Sequence, residues 1–563
     1  MKRAFITRHS PRQSWLMAAL LGIFLLFLFI LPVGTLLLNG LGFKAAPLLL
    51  EHPLYVESLV NSITTALGAA LLAAGFALPV ALTLWRFGFY PPLGIELCGF
   101  LPLFVPPFML SLSLQSLLGR GGALGFLLAP LDLDPALWGL SGVALIEAIH
   151  YFPLVLVTLI LSTSTFSRQA NEAARLGNSW THLATRVFLP LGWPGLAFGM
   201  AITFLKTLDD LATPLSLGIT NLLAPQAYFR VFSYGSQDPL SSLMAISMIL
   251  TSVLVWAVCV SFVRQGASWV STTTEKREKI KPRHRRISLA LLWSIAGFYL
   301  FCYAGMFLTS IAGIWSHSPL PESLSAAHYL SALETESGSF INTLTYCGLA
   351  AFIDIAVGMA MAYAIRLSQS RWVKHLSWAV TGLLSVPGVA LAIAYLQFFH
   401  GMQLPLLDEP LDSPWFLLPM AFSVRGLPFA IRACAFAWQG LPDSHVEAAN
   451  LSGASRLSIA LRIILPTMAF GLLMAFLISF GIAAVDLSSA MLLVPSETDA
   501  PISYTIYLNM QTSTGRGTGS ALAVLTIAAI GLTIIASVAL IRRRGSLASN
   551  LRRTLFLGNP TTK

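Results

Sequence analysis

Two stretches of this chain share residue types at a spacing that suits mechanical docking more than bond chemistry. Glu172-Ala173-Ala174 is followed by Gly177 and by Leu189-Pro190, and Glu447-Ala448-Ala449 by Gly453 and by Leu465-Pro466. The acidic triplets correspond at an offset of 275, as do Phe152-Pro153 and Leu427-Pro428. The glycines and the Leu-Pro pairs correspond at 276, so the first copy is one residue shorter between its glutamate and its glycine. Further upstream, Asn61-Ser62 corresponds to Asn342-Thr343 and Pro106 to Pro387, both at 281. Chance likeness between apolar segments aligns leucines. It does not align glutamates, glycines and prolines in order, so the chain reads as a duplicated and fused unit.

The local physics of the second copy is that of a short, exposed helix. Ser444 and Glu447 form a Ser-x-x-Glu capping box, which predicts a helix start near Ser444. The alanines favour helix and add little bulk, so a partner surface can come close. Gly453 can take a positive φ and end the helix. Leu465-Pro466 suits the first turn of the next helix, where a missing N–H costs nothing. The first copy has Gln169 in place of the serine, so its helix start is less sharply marked.

A second set of residues lies inside apolar stretches, where ionisable groups are costly and usually functional. Glu147 and His150 are one turn apart, and Arg425 and Arg432 are two turns apart. His150 corresponds to Arg425 at the 275 offset, each three residues before its matched proline. Two readings stand side by side. These groups line a pathway, or Glu147 neutralises His150 or Arg425 and holds helices together. Asp354, Lys206, Asp209 and Asp210 are weaker candidates, the last three as an ordinary pair near a helix end. Pro106-Pro107 and Pro387-Gly388 interrupt apolar runs, as happens at substrate sites of transporters and at packing kinks.

Enzymatic signatures are missing from the sequence. It contains no Gly-Lys-Ser/Thr, no His-Glu-x-x-His and no Gly-x-Ser-x-Gly, so a nucleotide cradle, a zinc protease and a hydrolase elbow are all excluded. The five cysteines form no CxxC pair, and no His/Cys cluster has metal-ligand spacing, so no metal site is expected.

The elements that must carry these residues follow from composition. The chain of 563 residues is 56% hydrophobic and only 10% charged, with a mean hydropathy of +0.75. A soluble chain would carry about 25% charged residues, so lipid is the solvent for most of this one. Twelve apolar windows appear, at roughly 15–38, 58–84, 97–118, 136–161, 191–208, 243–263, 288–314, 340–365, 376–399, 414–438, 464–486 and 519–541. They must be helices, because a backbone in hydrocarbon has to satisfy its own hydrogen bonds. The first run is longer than a signal-peptide core and is expected to stay as a span.

With the N-terminus in the cytoplasm, 27 of the 34 Lys and Arg residues fall on the inner side. The outer loops are rich in acids such as Glu51, Glu57, Asp238, Glu334 and Asp499. This asymmetry sets the orientation, puts both termini inside, and explains the net charge of +10 without nucleic acid. The expected fold is an all-α integral membrane protein of about 12 transmembrane helices in two six-helix halves. Residues 1–268 form the first half, with a cytoplasmic loop at about 165–190. A basic cytoplasmic linker at 269–287 joins it to the second half, 288–563, whose matching loop lies at about 440–466.

The paired Glu-Ala-Ala…Gly…Leu-Pro loops resemble the EAA loop of ABC importer permeases, the binding-protein-dependent inner-membrane component family with the MetI-like permease fold. A fused pair further resembles the ferric-iron and thiamine permease group. The resemblance implies that Glu172, Ala173, Ala174, Gly177, Leu189, Pro190, Glu447, Ala448, Ala449, Gly453, Leu465 and Pro466 couple to an ATPase. It implies two copies of a separate cytoplasmic ATPase subunit that carry ATP-Mg, a separate periplasmic substrate-binding protein, and a place in the bacterial inner membrane. It implies no cofactor on this chain and no enzymatic activity of its own. An ion-gradient-driven secondary transporter is the alternative. It would use Glu147 or Asp354, and it gives the matched inner loops no role. Cysteines placed at 172 and at 447 should both react with a membrane-impermeant thiol reagent only from the cytoplasmic face; labelling from opposite faces would break the repeat.

Overall fold

The computed structural model describes residues 19, 21–41, 52–89, 101–119, 122–125, 138–164, 179–266, 281–313, 315, 320–367, 380–403, 410–439, 441, 443–533 and 535–536. Among these the structure is helical, with one isolated bridge between Ala312 and Leu324. In the first half the helices are α1 (Leu21–Gly40), α2 (Pro53–Arg86), α3 (Pro107–Leu118), α4 (Leu140–Ser164), α5 (Leu189–Asp209), α6 (Ala212–Ser216), α7 (Leu223–Tyr234) and α8 (Pro239–Gly266). In the second they are α9 (Pro282–Ile311), α10 (Ala327–Thr335), α11 (Ser337–Leu367), α12 (Gly388–Phe398), α13 (Pro414–Gln439), α14 (Asp443–Leu451), α15 (Leu465–Val485), α16 (Leu487–Leu493), α17 (Ile502–Gln511) and α18 (Arg516–Thr533).

Ten helices among the described residues are long and apolar enough to cross a membrane. The shorter apolar helices α3 and α12 stand where the third and ninth windows were expected. Each is preceded by a 3-10 turn, Leu101–Phe104 or Leu383–Ser385, and begins just after Pro106 or Pro387. A proline has no N–H to extend a helix backwards, so the run breaks there and the new helix starts with free amides.

The order of elements recurs, and so do its hydrogen bonds. The Ser62 hydroxyl accepts the Leu223 amide at the start of α7, and the matched Thr343 hydroxyl accepts the Ile502 amide at the start of α17 (2.8 and 2.7 Å). Asn61 donates to the Asn221 carbonyl, and Asn342 to the carbonyls of Thr498 and Ala500. Both α5 and α15 are entered through a five-residue π turn, Ala184–Phe188 and Ala460–Ile464, again 276 residues apart. The expectation that Leu-Pro opens a fresh helix needs refining here. The helix is already running, and Pro190 or Pro466 follows a widened turn in which the Leu189 or Leu465 amide reaches back five residues. Widening lets the helix carry a proline that offers no amide to the carbonyl four residues before it.

Packing within each half relies on small residues. Ala66, Ala69, Ala70, Ala73, Ala74, Ala77 and Ala81 form one buried stripe on α2, which packs along α4 and α5. Small side chains let backbones approach closely, the main source of helix association in lipid. Large apolar side chains point outward instead, among them Leu250, Leu254, Trp293, Leu300 and Phe352. In water such a surface would aggregate; against lipid tails it is the normal exterior.

Between the halves the first helices are exchanged. α1 packs on α12 of the second half, and α9 packs on α3 of the first. Tyr395 on α12 donates to the Leu28 carbonyl (2.8 Å), and the Met306 amide on α9 donates to the Ser113 hydroxyl on α3 (2.9 Å). Gln397 on α12 adds bonds to Ser242 of α8 and Asn39 of α1. Outside the spans, Arg230 on α7 holds Asp238 through two hydrogen bonds and stacks on Tyr234; the Asp238 carboxylate raises the proton affinity of its guanidinium further.

Ala77→Leu should destabilise the chain by about 1–3 kcal/mol through overpacking of the α2–α4 seam. Leu71→Ala on the exposed face should change stability by less than about 0.5 kcal/mol. Thermal unfolding in detergent checks both.

Candidate translocation site

α14 is the exposed helix that the sequence anticipates. It begins at Asp443, one residue before the expected start, so Ser444 lies in its first turn. Glu447 and Ala448 are exposed and Ala449 is half-buried. The helix ends in a Schellman arrangement: the Ala454 amide reaches the Ala449 carbonyl and the Gly453 amide reaches Asn450 (both 3.1 Å). Gly453 sits at φ +75°, a conformation that a side chain disfavours. The Ser455 hydroxyl then accepts the Ser458 amide and starts the next turn. Val446 packs against the buried cluster that Trp438 and Leu441 form with Met468 and Leu472 of α15, and Ile463 and Ile464 pack against the same cluster. α14 is therefore wedged against both neighbouring spans while its acidic face stays free. Glu172, Ala173, Ala174 and Gly177 lie outside the described residues, whereas Leu189 and Pro190 open α5 as Leu465 and Pro466 open α15.

The other end of α5 and of α15 meets a buried ionic network. Arg425, midway along α13, bonds Asp209 of α5 through Nη2 (2.6 Å) and Asp486 after α15 through Nη1 (2.5 Å). All three are nearly buried: 9% of the arginine side chain, 7% of Asp209 and 5% of Asp486 are exposed. Burying charge is costly unless every lone pair is used, and here most are. Asp209 Oδ1 also takes the Val389 amide at the start of α12 (3.1 Å), where the helix dipole favours an anion. Asp486 takes the amide and hydroxyl of Ser489. The Ser488 hydroxyl donates to the Asp209 carbonyl (2.9 Å). Asp209 comes from the first half, and Arg425, Val389 and Ser488 from the second, so the network ties the halves together.

Beside it lies a cavity of about 60 Å³, room for a few waters. Tyr151, Lys206, Asp209 and Asp210 face it from the first half, and Arg425, Asp486 and Ser488 from the second. The broken start of α3, Pro106 to Phe108, forms part of its wall.

Of the four intramembrane candidates, only Arg425 lines this cavity. Arg432 is exposed and donates to the Thr381 hydroxyl (3.1 Å). His150 is buried edge-on to Tyr151 (ring centroids 4.7 Å apart), and Glu147 is fully buried beside Asp210. The reading in which Glu147 neutralises Arg425 gives way, because Asp209 and Asp486 do so. Asp209 is likewise no local partner of Lys206 alone; its ion pair spans 216 positions. Asp354 takes hydroxyls from Ser423 and Ser479, joining α11, α13 and α15. Asp486 escapes a reading of apolar runs because it sits at a helix end. The 276 offset that pairs the Leu-Pro sites would have paired it with Asp210.

Comparison with known proteins bears on this arrangement. Residues 354–546, which hold Arg425, α14 and Asp486, match the family described as binding-protein-dependent transport system inner membrane component. The matched stretch runs from within α11 through α18 and so includes α14 and every member of the ionic network except Asp209. The whole chain is similar to a putative ferric transport system permease protein, FbpB 1, of Haemophilus influenzae, with 26% identity over 518 residues, 86% of this chain and 79% of that one. It is similar to the ferric transport system permease protein FbpB of Actinobacillus pleuropneumoniae, at 25% over 480 residues, 81% of this chain and 66% of that one. A probable molybdenum ABC transporter permease protein of Haloferax volcanii is 28% identical over 261 residues, 45% of this chain and 91% of that protein.

Replacing Arg425 by Met should leave two buried carboxylates unpaired and cost about 3–5 kcal/mol. Adding Asp209→Asn and Asp486→Asn to Arg425→Met should recover most of that loss. Thermal unfolding of the single and triple variants reads the difference.

Proposed function

We propose that this chain is the permease subunit of an ABC importer, with both of its halves forming one translocation pathway. The matched domain, the permease relatives and the repeated layout support this reading. A molybdenum permease relative uses nearly all of its own length to match less than half of this chain, as expected if two permease-sized units are fused.

One observation supports the mechanism: the exposed α14 packs at the foot of the span whose other end meets the buried network. It is wedged beside the foot of a span that runs 29 residues from Leu457 to Val485, about 44 Å of helix, and ends at Asp486. In this reading a displacement of α14 by a partner moves that span and, through it, the Arg425 network. In this scheme two copies of a cytoplasmic ATPase subunit bind and hydrolyse ATP-Mg. One engages Glu447, Ala448, Ala449 and Gly453, and the other engages Glu172, Ala173, Ala174 and Gly177. Leu189-Pro190 and Leu465-Pro466 carry the motion into α5 and α15. The halves rock about the cavity, and Asp209 separates from Arg425 and Val389 as the pathway opens.

The basic linker and the basic inner loops support cytoplasmic termini in a bacterial inner membrane. Substrate would arrive on a separate extracytoplasmic binding protein. Ferric iron is the first solute to test, because the two ferric permease relatives cover most of this chain.

Glu447→Ala combined with Gly453→Pro should abolish co-purification of the ATPase encoded beside this chain while leaving the permease folded in detergent. Transport that persists without any ATPase and collapses with the proton gradient would overturn the proposal.

A further inference from the structure

The two halves share a layout but differ in the groups that face their capping aspartates. Asp210 and Asp486 occupy matched positions and cap matched short helices: Asp210 accepts the Ala212 and Thr213 amides of α6 (both 3.2 Å), and Asp486 accepts the Ser489 amide of α16. Asp486 is neutralised by Arg425. The residue matched to Arg425 is His150, which lies against Tyr151 with its Nδ1 unpartnered and makes no ion pair with Asp210. A second carboxyl, Glu147, faces Asp210 instead, from the position that Phe422 holds in the second half.

Thr207 and Thr213 stand beside these carboxyls. Glu147 and Thr213 are wholly buried, and Thr207 is 7% exposed. Glu147 Oε2 lies 3.5 Å from the Thr207 hydroxyl, while Glu147 Oε1 and the Thr213 hydroxyl have no hydrogen-bond partner. Buried oxygens left unpaired are costly, and two facing carboxylates repel in a low dielectric. The first half thus has no paired base at the position matched to Arg425, since its own lysine, Lys206, acts on Asp209 and Asp486, and two buried oxygens beside its capping aspartate have no partner.

We propose that Glu147, Asp210, Thr207 and Thr213 bind a small hard cation of the sodium, magnesium or calcium class, which does for the first half what Arg425 does for the second. The donor set is all oxygen, the preference of such ions. Because Asp210 also lines the central cavity, the ion would set the charge of one wall of the pathway.

The test is thermal unfolding of the full chain in detergent at constant ionic strength, with choline replaced stepwise by sodium, magnesium or calcium. At saturation one of these should raise the midpoint by about 2 °C or more. The same rise is expected in Glu57→Gln, which removes an exposed outer carboxylate. It should vanish in Glu147→Gln. Thr213→Val removes a hydroxyl that makes no hydrogen bond, and should weaken the response at least threefold in cation concentration, which decides the matter if Glu147→Gln does not fold. No cation response, a response unchanged in Glu147→Gln or Thr213→Val, or a midpoint that follows pH alone would overturn the proposal; the last would mean that the carboxyls share a proton.

Discussion

A guanidinium held between two carboxylates in the middle of a lipid-facing bundle constrains everything around it. Arg425 cannot leave Asp209 and Asp486 without exposing three charges to a medium that does not solvate them. The ends of α5 and α15, the start of α12 and the short helix α16 must therefore stay in register with α13. The amides and hydroxyls of Val389, Ser488 and Ser489 complete the arrangement. Such a cluster has few intermediate states. It is made or it is broken.

The network also shows where the two copies of a repeated layout differ. The two capping aspartates are retained, but the base opposite them is arginine in one half and an uninvolved histidine in the other. Hydrogen bonds at the outer ends, from Ser62 and Thr343, keep the halves geometrically alike. Divergence is confined to the middle, where a solute would pass.

Much of this was legible in the sequence, for reasons that differ by feature. Composition and apolar run length gave the membrane helices because lipid imposes one solution on a backbone. The offsets gave the repeat because polar and proline landmarks are rare in such a background. The Gly453 turn followed from local stereochemistry. The partner of Arg425 did not follow, since Asp209 lies 216 positions away and no local rule links them. Seven residues place Arg425 and Arg432 on one helical face, yet only Arg425 lines the cavity, because spacing does not fix how far each extends toward the axis. The broken third and ninth windows were marked by Pro106 and Pro387, but whether a proline kinks a helix or restarts it depends on neighbours that only the fold supplies.

The exchange of first helices has a bearing on how the chain is made. α1 emerges from the ribosome first, yet its seat on α12 is synthesised more than three hundred residues later. α9, by contrast, finds α3 already inserted. Until α12 is made, α1 can pack on α8 of its own half. The amino-terminal half is thus an unfinished object on its own. Fusing the halves guarantees that the missing surface is delivered next to it, at equal dose and in the same membrane, which two separately encoded subunits would have to find by diffusion.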